Sequence, residues 1–140
     1  KAPSLEERLR AAVDVQNAGY NVGICLDPII LCDGWFDHYK TMLEKIIERL
    51  DMESVRFISL GGFRYLPSLS KVIKERDPQT KLLLSEFVPC VDGKHRYFRP
   101  IRVEAYKEIG TVIRELNKDV KISLCMETPE VWNSVKDVLK

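Results

Sequence analysis

The sequence predicts an α/β fold in which helices cover a parallel sheet. Segments whose apolar residues recur at the helical period of about 3.6 alternate with short continuous apolar runs. One helix and one strand follow each other roughly every 30 residues, which is typical of βαβ crossovers. The chain has 140 residues, of which 45% are apolar and 31% charged. This composition is typical of one globular domain, so we treat residues 1–140 as a single domain.

Four short apolar runs predict the strands of this sheet. They cover residues 21–26, 55–60, 81–87 and 120–126. Asp27-Pro28 ends the first run and Gly61-Gly62 the second, since Pro and Gly interrupt strands. A complete eight-unit barrel takes roughly 250 residues, so about four parallel strands predict a partial (β/α) barrel or a small open sheet. Exposed edge strands are usually covered, and we expect missing chain or a partner to complete the sheet.

Five helical segments separate or flank the strands. Ser4 and Glu7 form a capping box that starts the first helix, which ends near Gly19. The clearest helix carries apolar residues three and four positions apart between Trp35 and Leu50. Prolines mark the starts of the other three, at Pro67, Pro100 and, after Thr128, Pro129.

Residues 88–100 predict a β-hairpin inserted between the third strand and the fourth helix. Asp92-Gly93 between extended segments is typical of a two-residue type I′ turn. The return strand interleaves the cations Lys94, Arg96 and Arg99 with the aromatics His95, Tyr97 and Phe98. Side chains projecting in this way suit a phosphate backbone plus a stacked or wedged base, as in proteins that kink or open a duplex. The alternative is a solvated hairpin with two core aromatics.

Charge and composition restrict the class of partner. The 22 Lys and Arg against 21 Asp and Glu give a formal net charge of +1, so any nucleic-acid binding must come from a local patch. No apolar run approaches the roughly 18 to 20 residues of a membrane span, and the first residues lack a secretory apolar region. We expect a cytoplasmic protein with no membrane partner. The first residue is Lys1 rather than Met, which suggests a piece of a longer chain.

The cysteines do not have the spacing of a metal site. Cys25, Cys32, Cys90 and Cys125 form no C-x-x-C pair, and we expect buried free thiols in a reducing compartment, with a reactive or disulfide role as the alternative. No metal ligands are predicted. No Ser/His/Asp or Cys/His set has a recognisable spacing either, so catalytic residues stay unassigned.

Polar groups follow the predicted strands. Asp27 ends the first, Gly61-Gly62 with nearby Arg64 the second, Ser85-Glu86 the third and Glu127 the fourth. Functional groups of parallel α/β folds gather at the carboxyl ends of strands, so these residues predict one rim of a site. For each carboxylate, a helix N-cap or a solvated loop is the alternative.

Four segments resemble the C-terminal part of the spore photoproduct lyases. They are GYNVGICLDPII at 19–30, RFISLGGFR at 56–64, LLSEFVPCVDGKHRYFRPIRVEAY at 83–106 and LCMETPEVW at 124–132. The resemblance implies a partial barrel of the radical S-adenosylmethionine superfamily and an enzyme that reverts the thymine dimer of spore DNA by hydrogen-atom abstraction. It implies that the hairpin enters DNA containing the dimer, with Arg96 and Tyr97 at the family's Arg-Tyr positions. It also implies that Asp27 and Pro28 lie near bound S-adenosylmethionine.

Together, the hairpin and the resemblance give Lys94, Arg96, Tyr97 and Arg99 as the expected DNA contacts. The family's C-x-x-x-C-x-x-C loop, which holds a 4Fe-4S cluster, and its upstream catalytic cysteine and tyrosines are absent from this sequence. We therefore expect this chain to be the distal half of such an enzyme, inactive alone, with the cluster held by a missing N-terminal half. Two alternatives stay open: a non-enzymatic α/β DNA-binding module, and a radical S-adenosylmethionine lyase with another substrate.

Overall fold

The computed structural model describes residues 2–140 and has two small sheets with helices. The helices are α1 Leu5–Asn17, α2 Trp35–Arg49, α3 Pro67–Arg76, α4 Arg99–Leu116 and α5 Pro129–Leu139, with a 3-10 turn at Met52–Ser54. The strands are β1 Val22–Ile29, β2 Val55–Gly62, β3 Arg64–Tyr65, β4 Phe87–Pro89, β5 His95–Tyr97 and β6 Ile122–Leu124. Among these residues, no helix combines the length and apolarity needed to cross a membrane.

The larger sheet is parallel and has the order β1-β2-β6. Ile24 pairs with Ile58, which in turn pairs with Ile122. The smaller sheet is antiparallel, with β5 between β3 and β4. It follows the carboxyl end of β2 through β3, so the predicted hairpin lies at that end of the parallel sheet.

The parallel sheet is buried on one face only. Ile58 and Leu60 are fully buried in a core shared with residues of α2, α4 and α5, such as Leu43, Ile109 and Val131. Side chains alternate across a strand, so the other face carries Gly23, Cys25, Phe57, Ser59 and Ser123. These residues, which we call the open face, are exposed or half-buried within the described chain. That missing chain or a partner completes this sheet stays a prediction.

The prediction of a parallel strand over residues 81–87 is wrong. That segment forms turns and a bend before the short antiparallel strand β4, so the parallel sheet has three strands rather than about four. Local hydrogen bonds replace a strand ladder here: Thr80 N donates to Asp77 O at 3.1 Å and Leu84 N to Lys81 O at 3.1 Å. The apolar run does not form a buried strand, and Leu84 is 77% exposed.

Two other strand boundaries differ from the prediction. Asp27-Pro28, joined by a cis peptide, does not end β1. The pairing with β2 is interrupted after Leu26 and resumes where Ile29 pairs with Gly62, because proline has no N–H to donate to the ladder. The fourth predicted strand is shorter, at Ile122–Leu124 instead of 120–126.

The predicted helix starts are confirmed. Ser4 Oγ accepts a hydrogen bond from Glu7 N at 3.2 Å, and Ser4 N donates to the Glu7 carboxylate at 2.7 Å, which completes the capping box of α1. Thr128 caps α5 through Val131 N. α3, α4 and α5 each have a proline in their first two positions.

The buried face of the sheet should dominate stability. Ile58→Ala removes a side chain that is 0% exposed, and we expect it to lower the free energy of unfolding by about 2–5 kcal/mol, against about 0.5–1.5 kcal/mol for Ile58→Val. Val15→Ala, at a 42% exposed position of α1, is the control and should change little. Urea denaturation measures all three. Equal costs for Ile58→Ala and Val15→Ala would contradict the one-sided core.

Candidate functional site

The hairpin has a tip of a different type from the one predicted. Cys90 N donates to Lys94 O at 2.9 Å, and Gly93 N donates to Cys90 O at 2.9 Å. In this loop Gly93 alone has a positive φ, 76°, whereas a type I′ turn needs positive φ at two residues. The tip is therefore a three-residue bulged loop rather than a type I′ turn. The Asp92 carboxylate also accepts from Lys94 N at 3.3 Å.

Tyr97 does not project from the hairpin. Its side chain is 1% exposed, its ring is stacked on Phe87 with centroids 4.6 Å apart, and Phe63 and Tyr65 complete an aromatic cluster. The Tyr97 hydroxyl accepts a hydrogen bond from Leu31 N at 3.1 Å. The expected outward projection of this tyrosine is wrong because its ring belongs to the cluster that joins the hairpin to β3. A role toward DNA stays a prediction.

Arg96 is also turned inward, onto the hairpin tip. Its guanidinium donates two hydrogen bonds to the Asp92 carboxylate, at 2.6 and 2.7 Å, and one to Met126 O at 3.4 Å. The Arg96 side chain is 8% exposed. The pairing lowers the pKa of Asp92 and raises the pKa of Arg96, with the hydrogen bonds between them as the main cause. Arg96 therefore holds the hairpin tip in place through its hydrogen bonds to Asp92 and Met126 O.

The other two predicted DNA contacts reach solvent. Lys94 has a 28% exposed side chain, with Nζ 3.9 Å from Asp92 Oδ2 and 4.0 Å from Met126 Sδ. Arg99, the first residue of α4, is exposed. The predicted cations thus divide into a buried one, Arg96, and two accessible ones.

Asp27 lies at the carboxyl end of β1 and is held by Arg64. The two side chains form a bidentate pair at 2.9 and 3.1 Å and are 23% and 16% exposed. Hydrogen bonding from Arg64 holds the pKa of Asp27 below its ordinary value. Arg64 also donates to Met126 Sδ at 3.2 Å. Pro28 beside Asp27 is exposed, so both residues predicted to lie near a cofactor are accessible at this edge.

Gly61 makes room for the Asp27–Arg64 pair. A Cβ atom at position 61 would lie 2.7 Å from Cγ of Asp27, which is closer than packed atoms approach each other. The Asp27 side chain therefore passes over a β2 position without a side chain to reach Arg64. Gly61 and Gly62, predicted to stop the strand, are the last two residues of β2, and Gly61 has this packing role.

The sequence analysis placed Glu127 at the rim of a site, but it missed the buried network beside the hairpin that encloses this carboxylate. The Tyr106 hydroxyl donates to Glu127 Oε1 at 2.7 Å and accepts from Gly62 N at 2.8 Å. Arg102 pairs with Glu127 at 2.9 Å, with side chains 5% and 4% exposed, and Arg102 Nη1 donates to Tyr97 O. Burial and the neighbouring Glu127 raise the pKa of Tyr106. The sequence signal for this network was the spacing of Arg102 and Tyr106, which lie four residues apart and therefore on one face of α4.

Of the remaining predicted groups, Cys125 lies beside the Asp27–Arg64 pair, with its Sγ 3.7 Å from Arg64 Nη2. Ser85 and Glu86 precede β4 rather than ending a parallel strand. The four cysteines are free, but the expected burial of their thiols is wrong: Cys25 and Cys32 are exposed, and Cys90 and Cys125 are half-buried. Within residues 2–140, no group of three or more His, Cys, Asp or Glu residues could hold a metal ion.

Comparison with known proteins identifies the family. The family model "Spore photoproduct lyase" matches residues 1–119. The chain belongs to the spore photoproduct lyase family. Spore photoproduct lyase of Bacillus subtilis is 34% identical over 84 residues, which cover 59% of this chain and 25% of that protein. The Geobacillus sp. (strain Y412MC61) enzyme is 35% identical over 86 residues, with 59% and 25% covered.

Solved structures of spore photoproduct lyase share the fold. One complexed with dinucleoside spore photoproduct is 22% identical with a TM-score of 0.75, covering 89% of this chain and 39% of that chain. A variant with bound AdoMet and dinucleoside spore photoproduct has a TM-score of 0.71, with 88% and 38% covered. In the sequence comparison, the chain spans about a quarter of the length of the curated spore photoproduct lyases it matches.

Gly61 offers a test of the Asp27–Arg64 geometry in this family member. Gly61→Ala should push the Asp27 carboxylate off Arg64 and cost about 1–3 kcal/mol of stability, as overpacking does. Ser59→Ala, on the same face of the same strand, is the control. In a double-mutant cycle the cost of Gly61→Ala should shrink when Asp27 is already Ala, because the overlap is then gone. The same cost in both backgrounds would show that the overlap with Asp27 is not the cause.

Proposed function

We propose that this chain forms the C-terminal part of a DNA-repair lyase that reverts the spore thymine dimer with S-adenosylmethionine-derived radical chemistry. The match of the family model to residues 1–119 carries this proposal. Parallel strands with one open face support the further proposal that β1, β2 and β6 form an arc of a partial (β/α) barrel. In this proposal the rest of the enzyme completes the barrel. Because the substrate is DNA, we place the protein in the cytoplasm.

The DNA site in this proposal is the hairpin with the start of α4. Lys94 and Arg99 are accessible cations on either side of β5 and are suited to phosphate oxygens. Arg96 and Tyr97 act from inside: Arg96 holds the tip through Asp92, and Tyr97 fixes the loop after β1 through Leu31 N. The hairpin is thereby held at the carboxyl end of the parallel sheet, where α/β enzymes bind substrates.

S-adenosylmethionine would lie at Asp27 and Pro28. The donor set supports this: an ionised carboxylate, 23% exposed, at the carboxyl end of β1 can accept hydrogen bonds from an amino group or from ribose hydroxyls. When bound, S-adenosylmethionine supplies the radical that abstracts a hydrogen atom. Arg64 holds the Asp27 carboxylate in one orientation, with Gly61 making room for the pair. For the 4Fe-4S cluster the described residues do not fit, since residues 2–140 contain no metal-ligand group; its ligands belong to the remaining chain.

Turnover of a defined substrate tests the proposed function. The protein expressed from its complete reading frame is incubated anaerobically with a reductant, S-adenosylmethionine and dinucleoside spore photoproduct, and repaired thymidine dinucleotide is measured by chromatography. We expect repair in the intact protein and its loss in the Asp27→Asn variant at low S-adenosylmethionine concentration. DNA binding without turnover would instead support a non-enzymatic module. Consumption of S-adenosylmethionine without repair would support a lyase with another substrate.

The phosphate contacts make a separate prediction. Lys94→Gln and Arg99→Gln should each weaken binding to damaged and undamaged duplexes by similar factors and reduce the slope of log K against log[salt] by about 1, because each removes one phosphate contact. Fluorescence anisotropy at several salt concentrations measures both quantities. Lys121→Gln, at an exposed position at the amino end of β6, is the control, because the hairpin lies at the carboxyl end of the parallel sheet. An unchanged slope would remove that cation from the phosphate contacts.

A further inference from the structure

The Asp92 carboxylate occupies a position suited to a phosphate. Two oxygens of Asp92 face two nitrogens of the Arg96 guanidinium, at 2.6 and 2.7 Å. Lys94 Nζ lies 3.9 Å from one of the same oxygens. A planar guanidinium forks onto a phosphate as it does onto a carboxylate, and a lysine adds a point charge. The hairpin tip therefore presents a built anion site that its own side chain fills.

The charges around this site leave a surplus of positive charge. Arg64 and Arg96 pair across β3 and β5, and like charges directly opposite each other on neighbouring strands are unfavourable. Each arginine has its own carboxylate: Asp27 for Arg64 and Asp92 for Arg96. Lys94 has only a share of Asp92. Three cations thus stand against two carboxylates, which favours the arrival of a further anion.

Asp92 is the member of this group that is free to leave. Its side chain is 41% exposed, against 8% for Arg96. The Asp92 carboxylate accepts one hydrogen bond of the loop, from Lys94 N at 3.3 Å, but two main-chain hydrogen bonds, between Cys90 and Lys94 and between Gly93 and Cys90, remain when it leaves. Arg96 lies on the central strand of the small sheet and also donates to Met126 O. The carboxylate can swing into solvent while the guanidinium stays in place.

Space for an incoming group lies next to the pair. An open cavity of about 460 Å³ is lined by Cys90, Asp92, Arg96 and Thr128, and also by the Arg102–Glu127 pair, whose charges balance each other. It lies between the hairpin tip and the segment that leads from β6 into α5. An anion entering this cavity meets the Arg96 guanidinium once Asp92 has moved.

We propose that Asp92 is an internal competitor for DNA, and that a phosphodiester of the bound strand replaces its carboxylate on Arg96 and Lys94. This inference rests on the proposed function, since it names the group that binds at the same hairpin. It converts Arg96 from a buried structural residue of the free protein into a phosphate ligand of the complex. Affinity for DNA is then reduced by the fraction of molecules in which Asp92 fills the site.

The test compares Asp92→Asn with wild type in the protein expressed from its complete reading frame. The probe is a fluorescent single-stranded oligothymidylate without any lesion, titrated at several salt concentrations. Asp92→Asn should bind about two- to fivefold more tightly, the range expected when a partly exposed ion pair no longer competes. The slope of log K against log[salt] should stay that of wild type, because in both proteins the bound strand places the same phosphate on Arg96 and Lys94.

Two further variants control for charge and for folding. Asp119→Asn makes the same change of charge on an exposed residue of the loop between α4 and β6, and it should reproduce wild-type affinity and slope. Asp92→Glu keeps a carboxylate and should stay close to wild type. If Asp92→Asn fails a thermal-melting check, Asp92→Ser takes its place with the same expectations. Unchanged or weaker binding by the folded neutral variant would overturn the proposal, because Asp92 would then organise the tip for DNA instead of competing with it.

Inorganic pyrophosphate separates this inference from the proposed function. If neither wild type nor Asp92→Asn binds the oligothymidylate, the DNA function fails, and the competitor is tested by pyrophosphate alone through calorimetric titration. Tighter pyrophosphate binding by Asp92→Asn than by wild type and Asp119→Asn then supports the internal competitor. Equal pyrophosphate binding by all three overturns it.

Discussion

The buried carboxylate of Glu127 holds the hairpin to the parallel sheet. An isolated buried carboxylate would cost several kcal/mol, so its position must be fixed by partners. Arg102 supplies the charge and Tyr106 a hydrogen bond, while the Tyr106 hydroxyl reaches Gly62 N at the end of β2 and Arg102 reaches Tyr97 O in β5. Arg102 Nε lies 2.9 Å from Glu127 Oε1 but out of line for a hydrogen bond, and Arg102 Nη2 donates a long one to Glu127 Oε2 at 3.4 Å. Removing Glu127 would leave an arginine and a tyrosine buried without their shared acceptor.

The hairpin placed in this way has two different faces. Side chains alternate along β5, so His95 and Tyr97 lie on one face and Arg96 on the other. His95 meets the ring of Tyr65 and Tyr97 meets Phe87, which buries the aromatic face against β3 and β4. The opposite face carries Arg96 toward Asp92 and Met126. The aromatic side chains are thus used for packing and the cationic ones for the tip.

Local signals in the sequence predicted the helices well, and long-range packing decided what they missed. The capping box at Ser4 and the apolar spacing of α2 depend on residues within one or two turns, and both are confirmed. The run at 81–87 had the composition of a strand, yet turns after Asp77 form local backbone hydrogen bonds in its first part. Only its last residue, Phe87, joins a ladder, which is antiparallel to β5. The Arg102–Glu127 pair joins positions 25 residues apart, which no periodicity reveals. The family resemblance located the hairpin but not the orientation of its side chains.

The orientation of Tyr97 follows from the alternation of side chains along β5 together with the aromatic residues next to the hairpin. The His-Arg-Tyr order predicts that positions 95 and 97 share a face, but not which face is buried. Phe63, just before β3, and Tyr65, in β3, determine which face is buried, because their rings contact Tyr97 and His95 on the same side of β5. A strand with a packed aromatic face can approach a nucleic acid only along its tip and its cationic face. In the proposed complex, DNA therefore meets the charged side chains of Lys94, Arg96 and Asp92 first. Phe98, which follows β5 and is 45% exposed, is left open to stacking.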